Sequence, residues 1–261
     1  MQLFKAISRQ INWRVTALVI VLLPLLTGLG LWQLQRADEK RQLLLHYQQQ
    51  QAKEAIDIEH VNSLSQIDSS TQVTTTYRRV FMSGYFDTER YWLLDNRSRD
   101  GRMGYEVVMP FVGDDITLLV NRGWVAANQD RSQLPTLETP SGQVVVEGTL
   151  YEPQKNAIFS SVESDWVLPW PKRVLQLDIV QAEQSLNLSL YPTLLRINKE
   201  LTQQRNNHID DKANIGLVTQ WVVVNMKADK HDGYALQWFT MAVALLFFYV
   251  WMLIKAVNES L

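Results

Sequence analysis

Two long uncharged apolar stretches, one towards each end, constrain this chain more than any other feature. From Val15 to Gln35, between Arg14 and Arg36, no side chain carries charge, and Val15 to Leu31 is almost wholly apolar. From Gly233 to Ile254, between Asp232 and Lys255, charge is again absent, and Leu, Val, Phe, Tyr and Trp dominate. Each stretch matches the roughly 20 residues that a helix needs to cross the hydrocarbon of a bilayer. An open chain in lipid satisfies its own backbone hydrogen bonds only as a helix, so both are expected to be transmembrane helices, with no more than a kink at Pro24. Trp13 and Trp32 bracket the first stretch, and Trp238 and Trp251 lie near the ends of the second, as interfacial anchors do. Composition conceals this, because a hydrophobic content of 46% averages the two stretches with a polar interior.

A cleaved signal peptide also begins with basic residues and an apolar run. Its apolar core is shorter, about 7 to 15 residues, and ends at a small-x-small site, whereas this run exits through Trp32-Gln33-Leu34-Gln35-Arg36. An uncleaved anchor is the better reading. Lys5, Arg9 and Arg14, with no acid among them, hold the N-terminus in the cytoplasm. The expected organisation is a cytoplasmic N-terminus over 1–14, a first transmembrane helix over 15–35, an extracytoplasmic domain over 36–232, a second transmembrane helix over 233–254 and a cytoplasmic tail over 255–261. A tail that short carries no signalling domain. The lack of an Arg- and Ser-rich presequence points to a bacterial inner membrane, with the central domain in the periplasm.

Residues 33–55 hold few helix breakers and much Gln, Leu, Lys and Glu, so the first helix should continue into water, over 36–55 of the central domain. From Thr71 the character changes to strand-like runs at Arg78–Met82, Tyr91–Asp95, Tyr105–Pro110, Thr117–Asn121, Gln143–Leu150, Leu194–Ile197 and Val218–Val224. Turn formers separate them at Ser83-Gly84, Arg99-Asp100-Gly101, Gly113-Asp114-Asp115 and Ser141-Gly142. Short connections favour antiparallel pairing. One helix is expected at Asp178–Leu188 with Asp178 as its N-cap, and mobile loops at Gln48–Thr76 and Asn198–Gly216. The fold class is therefore a membrane protein of α+β type: two transmembrane helices flanking a mainly antiparallel sheet or partial barrel, with one or two helices.

The net charge of −2, from 25 Lys plus Arg against 27 Asp plus Glu, provides no basic field for nucleic acid. With no cysteine, the chain can form no disulfide, Cys-ligated zinc site, iron–sulfur cluster, covalent c-type heme link or thiol copper relay. No G-x-S-x-G, phosphate-binding loop or G-x-G-x-x-G motif occurs, and Gly28 and Gly30 lie in a span where helix packing explains them. A non-enzymatic role follows, although a membrane-tethered hydrolase assembled from distant residues stays open.

His46, His60 and His208 have no metal-pair spacing and read as solvated. His231 stands just outside the second span, and a helix starting there stacks Ala235, Trp238, Ala242 and Leu245 on its stripe. Small residues beside an imidazole leave room for a flat macrocycle, and neutral imidazole is a common axial ligand of heme iron. The alternative is an interfacial histidine bonded to headgroups or to the domain, with the alanines serving helix packing. Lipid contact explains most of the other aromatics of that helix. Arg122 interrupts the apolar run Leu118–Val125 and must find a carboxylate, backbone carbonyls or an anion such as a heme propionate. His231, Trp238 and Arg122 make up the candidate cofactor-binding set.

Six segments occur in a familiar order: Gly30-Leu31-Trp32-Gln33-Leu34-Gln35-Arg36, Gly84-Tyr85-Phe86-Asp87, Gly104-Tyr105-Glu106-Val107, Val120-Asn121-Arg122-Gly123-Trp124-Val125, Val146-Glu147-Gly148-Thr149-Leu150 and His231-Asp232-Gly233-Tyr234-Ala235-Leu236-Gln237-Trp238-Phe239. In this order, and with two spans around them, they resemble the Surfeit-locus-one family of cytochrome c oxidase assembly proteins. The resemblance implies a biogenesis factor for heme-copper oxidases that acts when heme a enters the catalytic subunit. Implied partners are that subunit, other assembly factors and the lipid bilayer. His231 matches a family histidine proposed to contact heme. Asp229-Lys230 before it, and Glu39-Lys40 after the first Arg, depart from the usual pattern. A scaffold that holds an oxidase intermediate without touching heme is the alternative function.

Overall fold

The computed structural model describes residues 12–58, 76–140, 142–152, 166, 169–198, 203–205, 208–210, 217–224 and 226–258. The chain divides into two units: 1–46 with 222–261, and 47–221.

The first unit is a pair of helices. Helix α1, Trp13–Gln51, runs without a break through Pro24, and its last turn belongs to the second unit. The expected helical extension is thus present, and it ends at Gln51 because Ala52 and Lys53 turn. Both helices are long and apolar enough to cross a membrane, and few side chains in their apolar stretches are buried. The outward-facing surface is Leu, Val, Phe and Trp, as lipid solvation requires. The second helix, Ala228–Asn258, is the last of three α-helices described and is termed α3. It carries Asp229 in its first turn and Lys255 in its last, each complementing the helix dipole.

The second unit is a barrel. Its strands are β1, Ile56–Asp57; β2, Arg79–Phe86; β3, Trp92–Arg99; β4, Arg102–Val112; β5, Thr117–Ala126; β6, Val144–Tyr151; β7, Lys172–Val174; and β8, Leu194–Ile197. Between β7 and β8 lies α2, Ile179–Leu186, where the Asp178 carboxylate accepts from the Gln181 N–H at 3.1 Å, the expected N-cap. The sheet order is β1-β2-β6-β8-β5-β4-β3-β7, and a further pairing of β2 with β4 closes a ring of β2, β6, β8, β5 and β4. Strands β2 and β3 pair with β4 in the same sense, at Phe86↔Phe111 and then Trp92↔Val108, so 79–99 behaves as one long interrupted strand. Counted in chain order, the ring reads 1-4-5-3-2, with a parallel pair between the third and fifth strands, an oligonucleotide/oligosaccharide-binding topology.

Side chains alternate with period two. Val80, Met82, Leu93, Tyr105, Val107, Met109, Phe111, Leu118, Val120, Val146, Leu195 and Ile197 fill the interior. Trp92, Leu94, Val108, Leu119 and Leu194 face outward, where Leu177, Ala182, Leu186 and Leu190 of the α2 segment cover them. The face that such barrels offer to oligomeric ligands is therefore occupied by the chain itself.

Three expectations need correction, and the expected pairing gains detail. Ser83-Gly84 is not a turn but part of β2, paired with Val145 and Val144. Gly84 is required there because a Cβ would collide with the Val112 backbone where the ring closes. Val218–Val224 is not a strand. Val218 makes one antiparallel bridge with Trp124, and the segment is held by its side chains, the Trp221 indole donating to the Ile197 carbonyl at 2.7 Å. The pairing is mainly antiparallel, yet β1–β2, β3–β7 and β5–β8 are parallel; in the last pair the whole segment from β6 to α2 serves as the crossover. The two expected loops contain structure. Ile56–Asp57 pairs with β2, and Gln203–Arg205 (β9) with His208–Asp210 (β10) forms an antiparallel ribbon. Residues 59–75, which include His60, and 199–202, 206–207 and 211–216 lie outside the described residues, as does Ser141.

Candidate functional site

His231 lies in the first turn of α3, half-buried, with its Nδ1 2.7 Å from the Gln33 Oε1 of α1. The neighbouring Asp232 carboxylate accepts from the Arg41 guanidinium of α1. Towards the other end of the pair, the Thr16 and Tyr249 hydroxyls meet at 2.9 Å, so the helices run antiparallel. Between these contacts the seam is made of small residues. Ala37 on α1 and Ala235 and Ala242 on α3 are buried, and Gly30 faces the Phe239 ring. A Cβ at Gly30 would stand 2.6 Å from Phe239 Cε1, well inside van der Waals contact, so the glycine is what admits the ring.

The expected stripe is real. Ala235 and Ala242 are buried and Trp238 is half-buried on the same side as His231, while Leu236, Val243, Phe247 and Phe248 point outward. Ala235 and Ala242 are 1% and 4% exposed, so their small size serves close packing of the helix pair.

Arg122 belongs to the barrel. It sits at a bulge in β5, where Val107 pairs with Gly123 and Val108 with Asn121. Its guanidinium donates to the Thr139 hydroxyl at 2.8 Å and the Glu138 carbonyl at 2.9 Å, and stands 5.1 Å from the Phe86 ring centroid. Of the partners left open by sequence a backbone carbonyl is thus seen, and the Thr139 hydroxyl, not among them, is a second. Burial pushes the guanidinium down to about 10, which keeps it charged at physiological pH. With 0% of its surface exposed, Arg122 ties Glu138 and Thr139 to the barrel.

The other shared segments are also architectural. The Asn121 amide donates to Glu106 at 2.7 Å and to the Tyr151 hydroxyl at 3.2 Å, and the Arg196 guanidinium stacks between Tyr151 and Trp221 at 3.9 and 5.0 Å. Sequence reasoning missed Gln33, although it stands in the same Trp-Gln-Leu-Gln-Arg run as the span's exit. Nothing along the chain links it to a residue 198 positions away.

The model of the SURF1 family matches residues 20–243, nearly the full described length of both units. The chain belongs to the SURF1 family. SURF1 proteins are cytochrome oxidase assembly factors, an assembly family and not a catalytic one. A SURF1-like protein of Rickettsia felis is 26% identical over 242 residues, covering 91% of this chain and 96% of its own length. A SURF1-like protein of Dictyostelium discoideum is 34% identical over 103 residues, 38% of each chain. The Surfeit locus protein 1 of Arabidopsis thaliana is 34% identical over 118 residues, 41% of this chain and 32% of that one. As a SURF1 family member with two long apolar helices, the chain is a membrane-anchored protein.

Proposed function

We propose that this SURF1 protein assists insertion of heme a into the catalytic subunit of cytochrome c oxidase, with His231 as a transient axial ligand. The observation that carries the reading is the contact of His231 Nδ1 with an acceptor, Gln33 Oε1, at 2.7 Å. A ring whose Nδ1–H is donated keeps a lone pair on Nε2, the donor atom that heme iron takes. When bound, heme a would supply an iron centre for that nitrogen, a hydrocarbon tail and two propionates. Arg36 and Arg41, one and two turns along α1 from Gln33, offer cations to carboxylates at this level, although each already has a partner, Glu39 and Asp232 respectively. The apolar flanks of α1 and α3 suit the tail.

The basic N-terminal residues support a cytoplasmic N-terminus, an inner-membrane hairpin and a periplasmic barrel. On that orientation His231 lies at the outer boundary of the bilayer. The partners in this reading are the catalytic subunit and other assembly factors. One observation favours a second reading: Ala235 and Ala242 are consumed by packing, which suits a scaffold that holds an oxidase intermediate without touching heme.

Heme content separates the two. Full-length protein purified from cells that make heme a should carry a heme absorption band, and His231→Ala at equal expression should lose it. A band that persists in the variant removes His231 from the reaction, and a wild-type protein without any band favours the scaffold.

A further inference from the structure

The seam between α1 and α3 is built of glycine, alanine and aliphatic side chains, and a polar pair is set into it. Gln33 lies three residues after the buried Gly30 and four before the buried Ala37, so it occupies an inward position on α1. His231 occupies the matching position on α3, four residues before the buried Ala235. An amide and an imidazole at such positions cost free energy unless each finds a partner, and they find one another at 2.7 Å. The charged groups nearby do not compete for the ring. Asp232 is engaged by Arg41, and Asp229 and Lys230 are exposed.

We infer that Gln33 is the positioning residue of His231: its Oε1 accepts the Nδ1 proton, fixing the neutral ring in the tautomer that leaves Nε2 as the nitrogen able to bind a metal or accept a proton. An acceptor behind an imidazole does two things. It sets which nitrogen carries the proton, and it holds the ring plane in one orientation. A carboxylate, a backbone carbonyl or a water commonly fills this role. An uncharged amide fulfils it at lower desolvation cost in an apolar seam and polarises the ring less, which suits a ligand that must let go of its cargo. The use of Nε2 for iron rests on the heme reading above; the tautomer assignment does not.

The experiment uses the full chain in detergent, labelled with 15N-histidine and free of heme, with His231→Ala to identify the resonances. At a pH where the ring is neutral, wild type is expected to show a protonated, pyrrole-type Nδ1 and an unprotonated, pyridine-type Nε2 at His231. Gln33→Leu should lose that pattern and shift towards protonated Nε2, with the other histidine signals unchanged as a check on folding. Gln33→Glu, which keeps an acceptor oxygen, should retain it. Titration with hemin should then show affinity about tenfold or more weaker in Gln33→Leu than in wild type or Gln33→Glu. A protonated Nε2 in wild type, or a Gln33→Leu spectrum identical to wild type, overturns the inference. If the tautomers behave as stated but wild type binds no hemin, the positioning by Gln33 stands and the heme reading falls.

Discussion

At the scale of single residues, the contrast between Arg122 and His231 carries the argument. Both were candidates because a polar side chain interrupts an apolar pattern, and a linear pattern has no means of telling a structural guanidinium from a binding one. Depth tells them apart. Arg122 is fully buried and has a hydroxyl and a carbonyl as partners, so Arg122→Ala leaves both without their donor and opens a cavity under Phe86. The expected cost is about 2–4 kcal/mol, seen as a fall of several degrees in the melting of the β-sheet circular dichroism signal. On the proposed reading, heme bound per folded molecule should not change; a variant of wild-type stability that loses heme would place Arg122 in the binding site. The pH dependence that Arg122 brings lies above about 10. There the folded state releases the proton before the unfolded chain does, so folding gains as pH rises, and at lower pH the contribution of this group does not change with pH.

At the scale of elements, what depends on local pattern was legible and what depends on distant pairing was not. The two spans, the helical extension, the Asp178 cap and most of the strand positions follow from hydropathy, period and turn chemistry. Gly84 was misread because a glycine after serine has the signature of a turn, whereas its cause is the Val112 backbone on a strand far along the chain. Val218–Val224 has strand composition but a single bridge, since Trp221 is held by Ile197 and Arg196 instead of a ladder. The helix seam gives the matching test. Gly30→Leu should push Phe239 out of the seam and destabilise the helix pair by about 1–3 kcal/mol, read as a lower melting temperature of the helical signal in detergent. Adding Phe239→Ala should recover part of the loss, as expected for residues in direct contact. Additive losses in the double variant would mean that the two do not meet.

At the scale of the molecule, the chain combines a pair of apolar helices with a barrel whose interior is filled and whose outer face is covered by the α2 segment. With both of these clusters built from packed side chains, attention turns to the polar pair in the helix seam. Membership of the SURF1 family was legible because the shared segments are those that close the barrel and build the seam: Asn121 and its Glu106–Tyr151 contacts, Gly84 at the ring closure, and Gly30 with Phe239. The role proposed above, delivery of heme a, has no local pattern of its own, since a site built on two helices is encoded by neither alone. The most direct test is the spectrum of membranes from cells lacking this chain. The account predicts that the heme a absorption and activity of cytochrome c oxidase fall, that other respiratory enzymes keep theirs, and that the wild-type gene restores the oxidase while His231→Ala does not. Oxidase with full heme a content and activity in the deletion would contradict it.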